Sequence, residues 1–176
     1  MNLQIMNFVK EIDMAKMYLM SGMSGSGKTT FAKKFAEEHS LLYLCPDDFY
    51  KIFNGDERIH ENEFEVWIAL FQAIHIAEMN GIDCIIDTNA PTVVDRTQFI
   101  NWFPSFEHHL IAISAPLELC CENNKNRKRI IPQEHMLEMW YTFQLPMRGG
   151  DEDWRWKSLI IYHNENNTGF KKVSSG

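Results

Sequence analysis

Short apolar segments alternating with helical patterns predict an α/β fold, with a five-stranded parallel sheet covered by helices on both faces. Three observations predict it. Met17-Tyr18-Leu19-Met20, Leu41-Leu42-Tyr43-Leu44, Ile82 to Ile86, Leu110-Ile111-Ala112-Ile113-Ser114 and Leu159-Ile160-Ile161-Tyr162 are apolar almost throughout, as strands buried on both faces must be. The stretches between them space their apolar residues three and four apart, the period of a helix lying on a sheet. A glycine-rich string, Gly22 to Thr29, falls where the first strand meets the first helix.

The elements follow in order. After the glycine string, Phe31 and Phe35 share one helical face with Lys33 and Lys34 turned away, and the helix ends near His39-Ser40. The second strand stops at Cys45-Pro46, because proline cannot continue a central ladder, and Asp47-Asp48 come directly after it. Phe64, Trp67, Ile68, Phe71, Ile74 and Ile76 mark the longest helix, from Glu61 to Asn80, with Gly81 as its stop. The third strand ends in Asp87, followed by Thr88-Asn89-Ala90-Pro91 and a helix from about Thr92 to Phe103. Pro116 suits the first turn of the helix after the fourth strand, which runs to the basic cluster Lys125, Arg127, Lys128 and Arg129. A last helix begins near Pro132 and ends before Pro146, and the loop Met147 to Asp153 leads to the fifth strand. Residues 16–163 thus make one domain, preceded by an extension over 1–15 and followed by a polar, mobile tail over 164–176.

At 176 residues and 45% hydrophobic, the chain can fill one core. No apolar stretch approaches a membrane span, and residues 1–16 lack the basic-then-apolar pattern of a signal peptide, so a cytoplasmic location is expected. Cys45, Cys84, Cys120 and Cys121 have no metal or redox spacing and read as reduced core thiols. The formal net charge of −7 excludes broad, nonspecific affinity for nucleic acid, which depends on clustered cations releasing counterions; a local basic groove remains open.

Gly22-Met23-Ser24-Gly25-Ser26-Gly27-Lys28-Thr29 has the form Gly-x-x-x-x-Gly-Lys-Thr between a strand and a helix, which is a P-loop in its proper setting. Its glycines let successive N–H groups turn toward a nucleotide's phosphates, and the helix that continues through Thr30 adds its positive end. Lys28 is expected to reach the terminal phosphates of ATP, and the Thr29 hydroxyl to hold Mg2+. The fold class is therefore a P-loop NTPase, three layers α/β/α around the five-stranded sheet, with a helical lid. Ligands of such sheets sit at the carboxyl ends of the strands, which gathers the P-loop, Asp47-Asp48 and Asp87-Thr88-Asn89 along one edge.

Asp87 has the form of a Walker B acid supporting the magnesium, or of a turn residue. Asp47 is the candidate general base, since moving phosphate to a hydroxyl benefits from a carboxylate that orients it and accepts its proton. Arg127 is the leading candidate to neutralise charge developing on the transferred group, with Arg129 in reserve; Lys125 and Lys128 read as charged lid surface.

Taken in order, the P-loop, Cys45-Pro46-Asp47-Asp48-Phe49-Tyr50, Ile86-Asp87-Thr88-Asn89, Glu122 to Arg127 and Ile130-Ile131-Pro132 resemble the kinase domain of phage-type 5′-hydroxyl polynucleotide kinases, over about Lys16 to Tyr162. The resemblance implies Asp47 as general base, Lys28 and Thr29 on the ATP phosphates and Mg2+, and Arg127 as the lid arginine. It also implies that Asp87 supports the site and that Thr88 helps hold the phosphate beside the acceptor hydroxyl. The acceptor so implied is a nucleic-acid 5′-hydroxyl end. One position departs: the family usually has an arginine three residues after the catalytic aspartate, gripping the acceptor strand, and this chain has Tyr50, with Lys51 and Arg58 as possible substitutes. The phosphatase motif Asp-x-Asp-Gly-Thr and the ligase motif Lys-x-Asp-Gly are absent. A kinase of a small-molecule hydroxyl, similar to zeta-toxin, gluconate or antibiotic kinases, stays open beside the polynucleotide reading. So does a nucleotide switch that transfers phosphate only to water.

Overall fold

Alternate residues of the central strands enter opposite cores, and that alternation builds the layers. In the computed structural model, which describes residues 14–56, 58–59, 61–147, 149–150 and 152–175, the strands are β1 (Lys16–Gly22), β2 (Leu42–Leu44), β3 (Cys84–Ile86), β4 (Glu107–Ser114), β5 (Ser158–His163) and β6 (Lys171–Ser175). The helices are α1 (Lys28–His39), α2 (Pro46–Asn54), α3 (Glu63–Met79), α4 (Val93–Trp102), α5 (Leu117–Lys125) and α6 (Gln133–Thr142). Met17 and Leu19 of β1, with Leu110 and Ala112 of β4, pack on one face against Leu70 and Ile74 of α3 and Phe99 of α4. Met20, Ile111 and Ile113 pack on the other against Ala32 and Ala36 of α1. A third, smaller core joins α5 and α6 through Leu119, Cys120 and Met136, resting on Met23 of the glycine loop.

The strand order is β2-β3-β1-β4-β5-β6. The first five strands are parallel, as expected from the sequence, with Leu19 opposite Ile86 and Leu110. The sheet has six strands rather than five, because β6 pairs antiparallel with β5 across a register shift at Ile161/Tyr162. This strand comes from the segment read as a polar, mobile tail. Backbone pairing does not need apolar side chains, and lysines at 171 and 172 are typical of an edge that must not recruit another chain. The extension expected over 1–15 lies outside the described residues up to residue 13.

Local chemistry explains the ends. Ser40 and Gly81 both take positive φ, 54° and 65°, closing the turns after α1 and α3. Thr92 caps α4 reciprocally with Asp95: Asp95 N–H donates to Thr92 Oγ1 at 3.1 Å, and Thr92 N–H to the Asp95 carboxylate at 3.0 Å. Cys45, Cys84 and Cys120 are buried and all four cysteines are free thiols. Among the described residues, no helix is long and apolar enough to cross a membrane.

Candidate active site

A cleft of about 940 Å³ opens above the carboxyl ends of the strands. The P-loop, the start of α2, the Asp87-Thr88-Asn89 turn and the lid formed by α5, α6 and their connection all face it. Ser24, Gly25, Gly27, Lys28, Thr29, Thr30, Asp47, Asp87, Thr88, Asn89 and Arg127 line it, so nearly every residue singled out from the sequence meets there. Gly22, Met23 and Ser26 shape the loop from behind, and all three are buried.

The loop turns back on itself between β1 and α1. Gly25 takes φ 82°, and a Cβ there would lie 2.3 Å from the Cys120 carbonyl, so only glycine lets the loop pass this close to α5. Gly22 N–H donates to Asn89 O at 3.0 Å, joining the loop to the strand-end acids. The N–H groups of Gly25, Gly27, Lys28, Thr29 and Thr30 have no acceptor among the described residues. They make a ring of donors at the positive end of α1. Buried Ser26 Oγ likewise has no partner. Lys28 is nearly buried and donates from Nζ to Met23 O at 2.7 Å. Burial pushes its ammonium down to about 8; the nearby Arg127 acts the same way, and Asp87 opposes both. A cation so poorly compensated is poised to gain from a polyphosphate.

Asp87 is buried, receives the Tyr43 hydroxyl at 2.8 Å, and has its N–H on Leu44 O at 2.8 Å. Burial, then the charge of Asp87, hold the Tyr43 phenol far above its usual range, so Tyr43 stays a neutral donor to the carboxylate. Burial, followed by Asp87 and Asp47, pushes the Cys45 thiol up to about 12, which leaves it protonated and unreactive at neutral pH. Magnesium prefers oxygen donors and keeps much of its water, so it needs few protein ligands. The cleft offers a matching set in the Thr29 hydroxyl and the Asp87 carboxylate, and no cluster of three or more His, Cys, Asp or Glu occurs among the described residues. The residues present fit that ion.

Asp47 lies in the first turn of α2, a helix that sequence reasoning missed, with Pro46 at its start and Gly55 (φ 75°) at its end. Its carboxyl side chain is exposed on the cleft rim, and Asp47 and Asp48 both sit where the helix dipole favours negative charge. Tyr50, one turn on, is only 3% exposed and forms part of the cleft wall. Burial raises its phenol first; Glu63 and Asp47 add to this while Arg129 opposes.

The lid's basic turn is held by Asn124, whose side chain donates to Ile131 O at 2.7 Å and accepts from Ile131 N–H at 3.0 Å. Arg127 follows the end of α5, its N–H on Asn124 O at 3.2 Å. Arg127, Lys128 and Arg129 line the cleft, whereas Lys125 faces away; Lys128 thus belongs to the cleft rather than to the outer surface of the lid. Arg127 is felt by Lys28 and Arg129 by Tyr50, which spreads lid charge from the phosphate loop to the Tyr50 wall of the cleft. Sequence reasoning missed Tyr43, Asn123, Asn164, Asn167 and Phe170, all lining the cleft, the last three from beyond β5. No local pattern marks them.

A phosphate-binding loop feeding α1 in a parallel sheet, with a helical lid across the strand ends, defines a P-loop nucleotide-binding protein. The chain belongs to the family described as AAA domain (AAA_33), whose model matches residues 17–146. No curated protein matches the chain significantly. Among solved structures, a sugar kinase from Janibacter sp. HTCC2649 is 20% identical, covers 85% of each chain and has a TM-score of 0.62. A gluconokinase from Sinorhizobium meliloti 1021 is 14% identical over 86% of this chain and 83% of that one, with a TM-score of 0.58. A chain of the Pnkp1/Rnl/Hen1 RNA repair complex is 20% identical over 74% of this chain and 45% of that one, with a TM-score of 0.63. At such identities the likeness establishes the fold, which this chain shares with a sugar kinase, a gluconokinase and a chain of an RNA repair complex.

Proposed function

We propose that this protein is an ATP-dependent kinase that transfers the γ-phosphate to the 5′-hydroxyl end of a polynucleotide. The observation that carries phosphate transfer is the placement of Asp47 across the same cleft as the P-loop, Lys28 and the lid cations. The Asp47 carboxylate accepts the proton of the acceptor hydroxyl, whose oxygen forms the new bond to the γ-phosphorus. The bond to the bridging oxygen breaks, and ADP leaves. Lys28 and the loop N–H groups hold the β- and γ-phosphates, and Arg127 neutralises charge spreading over the transferred group. Thr29, with Asp87 in support, would hold Mg2+, which would supply charge neutralisation on the phosphates.

The motif order and the cations at 127–129 support the polynucleotide acceptor, and half-buried Trp67 on the acceptor side offers a face for a base. A specific observation favours a second reading, a small-molecule hydroxyl. Tyr50 is closed into the wall where an arginine fork would grip a strand, and exposed Glu63 beside it repels backbone phosphates. ADP formation measured with a 5′-hydroxyl oligonucleotide and with a panel of sugars and nucleosides separates the two. Turnover dependent on the oligonucleotide is expected; turnover only with small acceptors replaces the first reading by the second.

A further inference from the structure

The N–H face of a P-loop points into its cleft only if the carbonyl face points outward, and an outward carbonyl packed under other chain requires a donor. Three carbonyls of this loop have side-chain donors. Met23 O accepts from Lys28 Nζ at 2.7 Å, Gly25 O from Asn123 Nδ2 at 2.8 Å, and Ser26 O from Asn164 Nδ2 at 2.9 Å. Two of these donors are asparagines on separate elements, α5 and the segment following β5. We infer that residues 164–170 are a working part of the phosphate site, and that Asn164 and Asn123 are positioning residues that fix the P-loop carbonyls outward.

Asn164 is 1% exposed, and its amide is oriented at both ends by backbone groups of unambiguous polarity. Nδ2 meets the Ser26 carbonyl, while Oδ1 accepts the Asn167 N–H at 2.9 Å. Its own N–H donates to Ser114 O at 2.9 Å, extending the β4–β5 ladder by one bond to the edge of the loop. An asparagine after a strand commonly serves only its own turn. The Oδ1 bond does that here, but the Nδ2 bond spans 138 residues to the P-loop.

Asn167, at φ 63°, links the two donors: its Nδ2 donates to Asn123 Oδ1 at 2.7 Å, and its Oδ1 accepts from Asn123 and Asn164 at 3.1 and 3.2 Å. Phe170 anchors the far end against Phe31 of α1, edge to face with centroids 5.2 Å apart. The fit is close enough that a Cβ on Gly27 would lie 3.0 Å from Asn164 Nδ2 and 3.1 Å from the Phe170 ring. Gly27, at φ 98°, suits the loop's own turn, and its lack of a side chain lets the segment lie this close without displacing Asn164 or Phe170.

The inference rests on the P-loop binding a polyphosphate, and the test separates the two ideas. Calorimetric titration with MgATP and with inorganic tripolyphosphate, on wild type, Asn164→Ala, Asn164→Asp and Asn123→Ala, is paired with ligand-free thermal unfolding. Both ligands are expected to weaken by about tenfold with each alanine variant, the loss of one hydrogen bond to a carbonyl that then sits unpaired. Asn164→Asp, which turns an acceptor toward the Ser26 carbonyl, weakens them further. Asn123→Ala, at a half-buried position, is expected to unfold near the wild-type temperature and carries the test if Asn164→Ala does not fold. Undiminished tripolyphosphate affinity in folded variants overturns the inference. So does a loss confined to ATP, which assigns the asparagines to the nucleoside instead of the loop. Failure of the wild type to bind either ligand overturns the P-loop reading itself.

Discussion

Arg96 is the side chain whose removal the structure makes most costly. It is fully buried, and its Nε and Nη2 pair with the Glu152 carboxylate, itself 3% exposed, at Nε distances of 3.0 and 2.9 Å. Nη1 donates to Gln144 O at 2.8 Å and to Ala90 O and Pro91 O at 3.2 Å. One guanidinium therefore ties the turn after Asp87, the exit from the lid and the loop before β5. Arg96→Met leaves a buried carboxylate without its cation and Gln144 O without a donor among the described residues, while Ala90 O retains the Ser21 hydroxyl and Pro91 O the Gln144 N–H. Breaking one side of such a pair costs about 3–5 kcal/mol, a large part of the roughly 5–15 kcal/mol that holds a domain together. At roughly 2–4 °C per kcal/mol for a chain of this size, the unfolding temperature falls by about 10 °C. Urea and thermal unfolding of Arg96→Met, Glu152→Met and the double variant measure it. The double variant should recover part of the loss, because the orphaned charge is gone, but not all, because Gln144 O stays without a donor while Ala90 O keeps only the Ser21 hydroxyl and Pro91 O only the Gln144 N–H. A single-variant loss below about 1 kcal/mol refutes the reasoning.

Four further outcomes are expected. Lys28→Ala abolishes phosphate transfer, checked by ADP formation; retained turnover assigns the phosphates to other cations. Asp47→Asn keeps nucleotide affinity in a titration but lowers kcat by roughly a hundredfold or more, the usual contribution of a general base; undiminished kcat removes Asp47 from that role. Arg127→Ala lowers kcat more than it raises the Kd for ATP, since its charge is used mainly in the transition state, and unchanged kcat transfers the role to Arg129. The fourth concerns pH. Burial lowers the Lys28 ammonium to about 8, and a bound polyphosphate raises it again, so binding takes up a proton above that pH. Nucleotide affinity should fall as pH rises beyond about 8, with proton uptake visible by calorimetry in buffers of different ionisation enthalpy. A flat affinity from pH 7 to about 9.5, well past the titration of Lys28 in the ligand-free protein, contradicts it.

The same lysine sets a sign for stability. Its folded value lies below its unfolded one, so its charge opposes folding below about 8, and the penalty lifts as pH rises toward 10.5.

The P-loop, the five parallel strands and the acids at their ends were legible because each is a local pattern, an apolar run or a fixed spacing read within ten residues. Helix α2 was not, although Phe49, Tyr50, Ile52 and Phe53 recur at helical spacing, because the run is short, follows the strand directly at Pro46 and leaves Ile52 and Phe53 facing solvent. Strand β6 was hidden by its composition: Lys171, Lys172, Ser174 and Ser175 carry no apolar alternation, and pairing with β5 is a backbone matter. Arg96 was invisible because charge normally signals surface. Only the fold brings Glu152, 56 residues away, to meet it. Asn123 and Asn164 were unreadable for the same reason, as their partners are P-loop carbonyls and not side chains.

The central claim, transfer of phosphate from ATP to a polynucleotide end, is tested most directly with γ-labelled ATP and magnesium. The acceptors are a short single strand bearing a 5′-hydroxyl and the same strand bearing a 5′-phosphate. The account predicts label on the first strand and none on the second, lost with Asp47→Asn. Label that appears only as inorganic phosphate, or only on a small-molecule hydroxyl, contradicts it.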